Sequence, residues 1–119
     1  VIGKMAVFEI ETYVVCPEKV EEHELVLKEI FNYGKMHPDV SRHVKSLRVF
    51  KQGIGGDPVG SFVLVTEFES LSEIETFYAK LKKDKEWQEI AKKWAKVIDL
   101  KTMHISIWND IFRESWIEK

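Results

Sequence analysis

Along residues 6–15, AVFEIETYVV, Phe8 and Ile10 alternate with Glu9, Glu11 and Tyr13. The period of two and the β-branched and aromatic content predict a strand. The period then lengthens. Over 17–35, Val20, His23, Leu27, Ile30 and Gly34 recur at helical spacing, widened by Val26 and Phe31, which predicts an amphipathic helix opened by a first-turn proline and acidic residues. His37-Pro38 ends it, because the residue before proline is driven out of helical backbone. Residues 44–52 and 59–68 read as a hairpin pair of strands joined by the Gly53, Gly55, Gly56, Asp57 and Pro58 segment. Ser70 with Glu73, and Ser72 with Glu75, have capping-box spacing, so a helix begins near Leu71 with Ile74, Phe77, Tyr78 and Leu81 inward. Asp84 is placed to cap a further helix that carries Trp87, Ile90, Ala91, Trp94 and Val97 or Ile98 on one face. Residues 100–109 form the last strand.

Strand, helix, strand, strand, helix, strand is the ferredoxin-like βαββαβ order of an α+β domain. It predicts a four-stranded antiparallel sheet with strands one and three central, two and four at the edges, and the helices on one face. The more apolar set of each strand is expected on the helix side: Phe8 and Ile10, Leu47 and Val49, and Met103, Ile105 and Ile107. The bare face then receives Glu9, Glu11 and Tyr13, Ser46, Arg48 and Phe50, and Thr102, His104, Ser106 and Trp108. Strand three stays open, since Phe62, Leu64 and Phe68 compete with Val63 and Val65. A face that carries Tyr13, Phe50 and Trp108 together is expected to be covered, which predicts a homodimer or a higher homo-oligomer. The tail 110–119 holds Ile111, Phe112, Trp116 and Ile117, too apolar for water, and is expected to pack on the partner subunit.

The 119 residues, 45% of them hydrophobic, suit one domain over 1–119. The 18 basic and 20 acidic side chains nearly cancel and form no long block of one sign, which argues against nucleic acid or a membrane surface as partner. Residues 1–15 do not read as a secretory leader, and no run approaches the roughly 20 apolar residues of a membrane span; a cytoplasmic location is expected. The single cysteine, Cys16, makes no internal disulfide and reads as a small apolar filler. Lysine far exceeds arginine, and Asn and Gln number two each, a bias of heat-adapted proteins.

The group with most chemistry is Glu9, Glu11, Arg48 and His104. Two carboxylates on a central strand need partners that offset desolvation, and burial in a closed pocket would raise one pKa into the range of acid and base work. Glu9, Glu11 and His104 are therefore the catalytic candidates, with Tyr13, Arg48, Phe50 and Trp108 as ligand contacts. Ion pairing at a subunit interface is the simpler account of the same residues, and a metal held by Glu9, Glu11 and His104 is a third. His37, Asp39 and His43 cluster after the first helix but lack a known ligand spacing. No cofactor is expected. His23 reads as a partly buried, hydrogen-bonded histidine.

A strand ending in Tyr13, the Pro17-Glu18-Lys19 lead into an acidic helix, the Phe68-Glu69-Ser70 passage and Asp84-Lys85-Glu86-Trp87 together resemble the dimeric α+β barrel superfamily, and within it the NIPSNAP-like and antibiotic biosynthesis monooxygenase-like families. The resemblance covers nearly the whole chain. It implies sheets packed face to face in a dimer and a pocket for a hydrophobic or aromatic compound, with cofactor-independent monooxygenase or isomerase chemistry as one outcome. A non-enzymatic homo-oligomeric assembly module is the other. The asparagine on strand one and the tryptophan on strand three that oxygenase and haem-degrading members share have no counterpart here.

Overall fold

The computed structural model describes residues 6–54, 60–112 and 114. The elements run β1 (Val7–Val14), a 3-10 turn (Pro17–Lys19), α1 (Val20–Met36), a short α2 (Pro38–Ser41), β2 (Val44–Lys51), β3 (Ser61–Phe68), α3 (Leu71–Lys83), α4 (Lys85–Val97) and β4 (Asp99–Asn109). They form one open antiparallel sheet in the order β2-β3-β1-β4, so the central and edge strands are the expected ones. The sheet does not close on itself. Gly55 to Pro58 and the tail's Trp116 and Ile117 lie outside the described residues.

Local chemistry explains the boundaries. Ser70 caps α3 by accepting the Glu73 amide at 3.3 Å, and Asp84 caps α4 by accepting the Glu86 and Trp87 amides at 2.9 and 3.4 Å, each satisfying donors that a helix start leaves open. Glu73 does not complete the capping box; its carboxylate bonds His43 instead. Gly60, the turn residue just before β3, has φ 89°, and a Cβ there would meet the Val15 carbonyl oxygen at 3.0 Å, so the turn back into the sheet requires glycine.

The core lies between helices and sheet and gathers Tyr13, Val15, Phe62, Val26, Leu81 and Ile90, with a smaller cluster of Val7, Phe68 and Ile74. These residues decide the faces. On β3 the inward set is Phe62, Leu64, Thr66 and Phe68, which settles the strand that sequence left open. Directly opposite them on β1 stand Tyr13, Glu11, Glu9 and Val7. The expected orientation of β1 is therefore reversed: Glu9, Glu11 and Tyr13 face the helices, while Phe8 and Ile10 face outward beside Glu67 and Val65. The cause is additive. Val7, Tyr13 and Val15 are all buried on the inward side, and their apolar area outweighs that of Phe8 and Ile10. The expected orientation holds for Val49 and Met103, which pack on the core, and for Leu47, which lies opposite Thr66 and lines the space under the helices.

Candidate functional site

The reversal of β1 divides the predicted constellation across the sheet. His104 is opposite Thr12, and Trp108 is opposite Phe8, so both share the outward face. Arg48 and Phe50, opposite Val65 and Val63, lie there too, with the Arg48 guanidinium 4.8 Å from the Phe50 ring centre. Glu9 and Glu11 lie on the inward face. The carboxylates and His104 cannot converge on one metal, nor can Arg48 neutralise them through the sheet. Among the described residues no group of three or more His, Cys, Asp and Glu side chains could hold a metal ion. Tyr13 is 1% exposed; its hydroxyl lies 2.8 Å from His23 Nε2 and its ring packs on Phe62 and Trp94, so it is core. His23 is buried and hydrogen-bonded as expected, and burial lowers its pKa.

Glu9 and Glu11 face a cavity of about 630 Å³ between the helical layer and the sheet. Its floor is the inward faces of β1, β3 and β2, including Leu64, Thr66 and Leu47; α1, α3 and α4 supply the roof, with aromatic rings from Tyr33, Phe77, Tyr78, Trp87 and Trp94. A pocket of this size with few polar groups on apolar walls is the usual form of a small-molecule site. The period-two geometry of β1 is what sets both carboxylates on the same wall.

Burial raises the pKa of Glu11 to about 7, and the neighbouring Glu9 charge adds to the rise. Burial raises Glu9 as well, but the Tyr78 hydroxyl donates a hydrogen bond to its Oε1, which opposes the rise. The two carboxylates are thus inequivalent: Glu9 is held by a donor, while Glu11 has no hydrogen bond or ion pair among the described residues and titrates near neutrality. Tyr78 itself is pushed up by burial and by its bond to Glu9. A carboxyl that exchanges its proton near pH 7 inside an apolar pocket is suited to general acid or base work.

Tyr78 and Tyr33 are the residues that sequence reading passed over. Tyr78 stood in the apolar stripe of its helix with no sign that its hydroxyl reaches β1, 69 positions away. Tyr33 is buried, and its hydroxyl donates to Asp84 Oδ2 at 2.6 Å. The cluster of His37, Asp39 and His43 does not converge. His43 joins the Glu73 carboxylate and Lys80 Nζ, whereas His37 lies against Tyr33 and 3.3 Å from Glu86.

The order and pairing of the four strands, with all helices on one side, decide the architecture. The fold is ferredoxin-like, as in the NIPSNAP proteins. A NIPSNAP family protein of unknown function from Agrobacterium tumefaciens superposes with a TM-score of 0.69 at 20% identity, over 92% of this chain and 91% of that one. A dimeric ferredoxin-like protein of unknown function from Bacteroides fragilis gives 0.59 at 18%, over 88% and 96%. SnoaB, a cofactor-independent oxygenase from Streptomyces nogalater, gives 0.63 at 12%, over 95% and 98%. No family model and no curated protein matches the chain. Among the described residues no helix is long and apolar enough to cross a membrane.

Proposed function

We propose that the protein is a homodimer that binds a small aromatic or hydrophobic compound in the cavity between helices and sheet, with Glu11 as proton acceptor. The observation that carries this reading is the placement of Glu11, at a pKa of about 7, on the wall of an aromatic-lined cavity of about 630 Å³. The ionised carboxylate takes a proton from an acidic C–H or phenolic O–H of the bound compound. Return of that proton to another carbon completes an isomerisation; transfer of electrons from the resulting anion to dioxygen is the first step of an oxygenation without a cofactor. The likeness to SnoaB supports the second chemistry. Glu9, fixed by Tyr78, keeps a negative charge near Glu11 and so holds its basicity up. Naphthylmethanol is expected to quench the fluorescence of Trp87 and Trp94 saturably. A natively folded protein whose emission ignores this probe and a panel of similar rings would overturn the reading.

The outward face supports a second reading, in which assembly is the whole function. Phe8, Ile10, Val63 and Val65 line its middle, and Phe50 and Trp108, 43% and 59% exposed, flank them. Such a continuous apolar face is suited to a second subunit, and the dimeric Bacteroides neighbour supports this arrangement. In both readings Arg48, Phe50, His104 and Trp108 serve the subunit contact rather than the cavity. Dimerisation without binding of any aromatic probe would favour assembly alone.

A further inference from the structure

We infer that the cavity takes a hydrophobic organic cation, its carbon body among the aromatic rings and its amine or quaternary ammonium group over Glu9 and Glu11. This deepens the small-molecule reading and rests on it. Two independent features of the cavity meet in the inference. The first is the roof, where Tyr33, Phe77, Tyr78, Trp87 and Trp94 bring five rings from three helices to one space, and the negative faces of such rings attract a desolvated cation. The second is the missing countercharge. Several acids elsewhere have a basic neighbour: Glu29 has Lys93 at 2.9 Å, Glu73 has His43 and Glu86 has His37. Glu9 and Glu11 form no ion pair among the described residues, although Lys35, an exposed residue, also lines the cavity.

The sign of the site disfavours other ligand classes relative to a cation. An anion would face two carboxylates, and a neutral aromatic would displace their water while offering no charge in return, which leaves the desolvation of both uncompensated. A cation removes that penalty and favours the ionised form of Glu11, so its binding expels the proton that Glu11 carries near neutrality.

The test compares naphthylmethylamine, protonated throughout the neutral range, with naphthylmethanol, which has the same ring and no charge. Titration calorimetry in two buffers of different ionisation enthalpy is expected to show the amine binding about tenfold tighter than the alcohol or better, with release of a fraction of a proton. The preference is expected to grow between about pH 6 and about pH 8 as Glu11 ionises. In Glu11→Gln the preference should collapse, chiefly because the alcohol binds more tightly with one carboxylate fewer to desolvate, while an unchanged far-ultraviolet spectrum and melting temperature show that the variant is folded. Equal affinity for alcohol and amine in the wild type, or tighter amine binding that Glu11→Gln leaves unchanged, would overturn the cation inference and leave the aromatic-pocket reading standing. Binding of neither probe would overturn both.

Discussion

Glu11 carries a measurable cost. Its folded pKa of about 7 lies above the 4.5 of the free side chain, so the stability linked to its protonated form is fully present below about pH 4.5 and is lost as pH rises through about 7. Glu11→Gln should therefore be more stable than the wild type at about pH 8 by about 1–2 kcal/mol, a value reduced from the full shift because solvent still reaches the cavity. At about pH 4 the two should converge. Urea unfolding at both pH values checks this, and a gap that does not change with pH would show that Glu11 is not held protonated by its surroundings. That burial would raise the pKa of one carboxylate on this central strand was legible in the sequence, because the physics of burial depends on residue type and strand position; that both are raised was not. Which face they share was not. Both alternations of β1 contain apolar and aromatic residues, and the decision came from Tyr13 and Val15 packing with Phe62, contacts that no single strand reveals. Tyr78 was hidden for a related reason: its ring satisfies helical periodicity, and its hydroxyl acts across a long stretch of sequence.

At the scale of elements, the joint between α1 and α4 depends on Asp84. One carboxylate oxygen caps α4 and the other accepts the buried Tyr33 hydroxyl of α1. That hydroxyl is the leading reason the Asp84 pKa falls below the ordinary 3.8. The stability it contributes is present above that value and lost as pH falls through the lowered one. Asp84→Ala removes the cap and strands a buried donor, and is expected to lower the melting temperature by clearly more than Ser70→Ala, which loses a cap alone. Thermal unfolding of the two variants and of Asp84→Ala combined with Tyr33→Phe separates the parts, since the double variant should recover some of the loss. Equal losses for Asp84→Ala and Ser70→Ala would remove the case for a joint. The caps themselves were readable from Ser70 and Asp84, as were all four strands and the main helices, because alternation and capping are local. The division of the first helix into a 3-10 turn and α1, and the extra turn α2 after His37, follow from the prolines at 17 and 38, which mark a start without specifying how the backbone continues.

For the whole molecule, the proposed homodimer would form through the outward face of the sheet. Trp108→Asp places a charge among apolar neighbours on that face and is expected to weaken self-association by about a hundredfold, read as a shift from dimer to monomer mass in light scattering with an unchanged far-ultraviolet spectrum. A wild type that is monomeric at all concentrations would refute the homodimer. The strand arrangement also has a consequence for how the chain comes into being. Val7 pairs with Asn109 and Phe8 with Trp108, so β1 waits for β4, which is synthesised much later. While the protein is still emerging from the ribosome, β1 has one flank without its neighbour and no finished sheet to support Glu9 and Glu11. Chains built on such distant pairings fold late and slowly. A translation product interrupted between β1 and β4 therefore exposes a bare, β-prone edge through which such fragments can pair with one another.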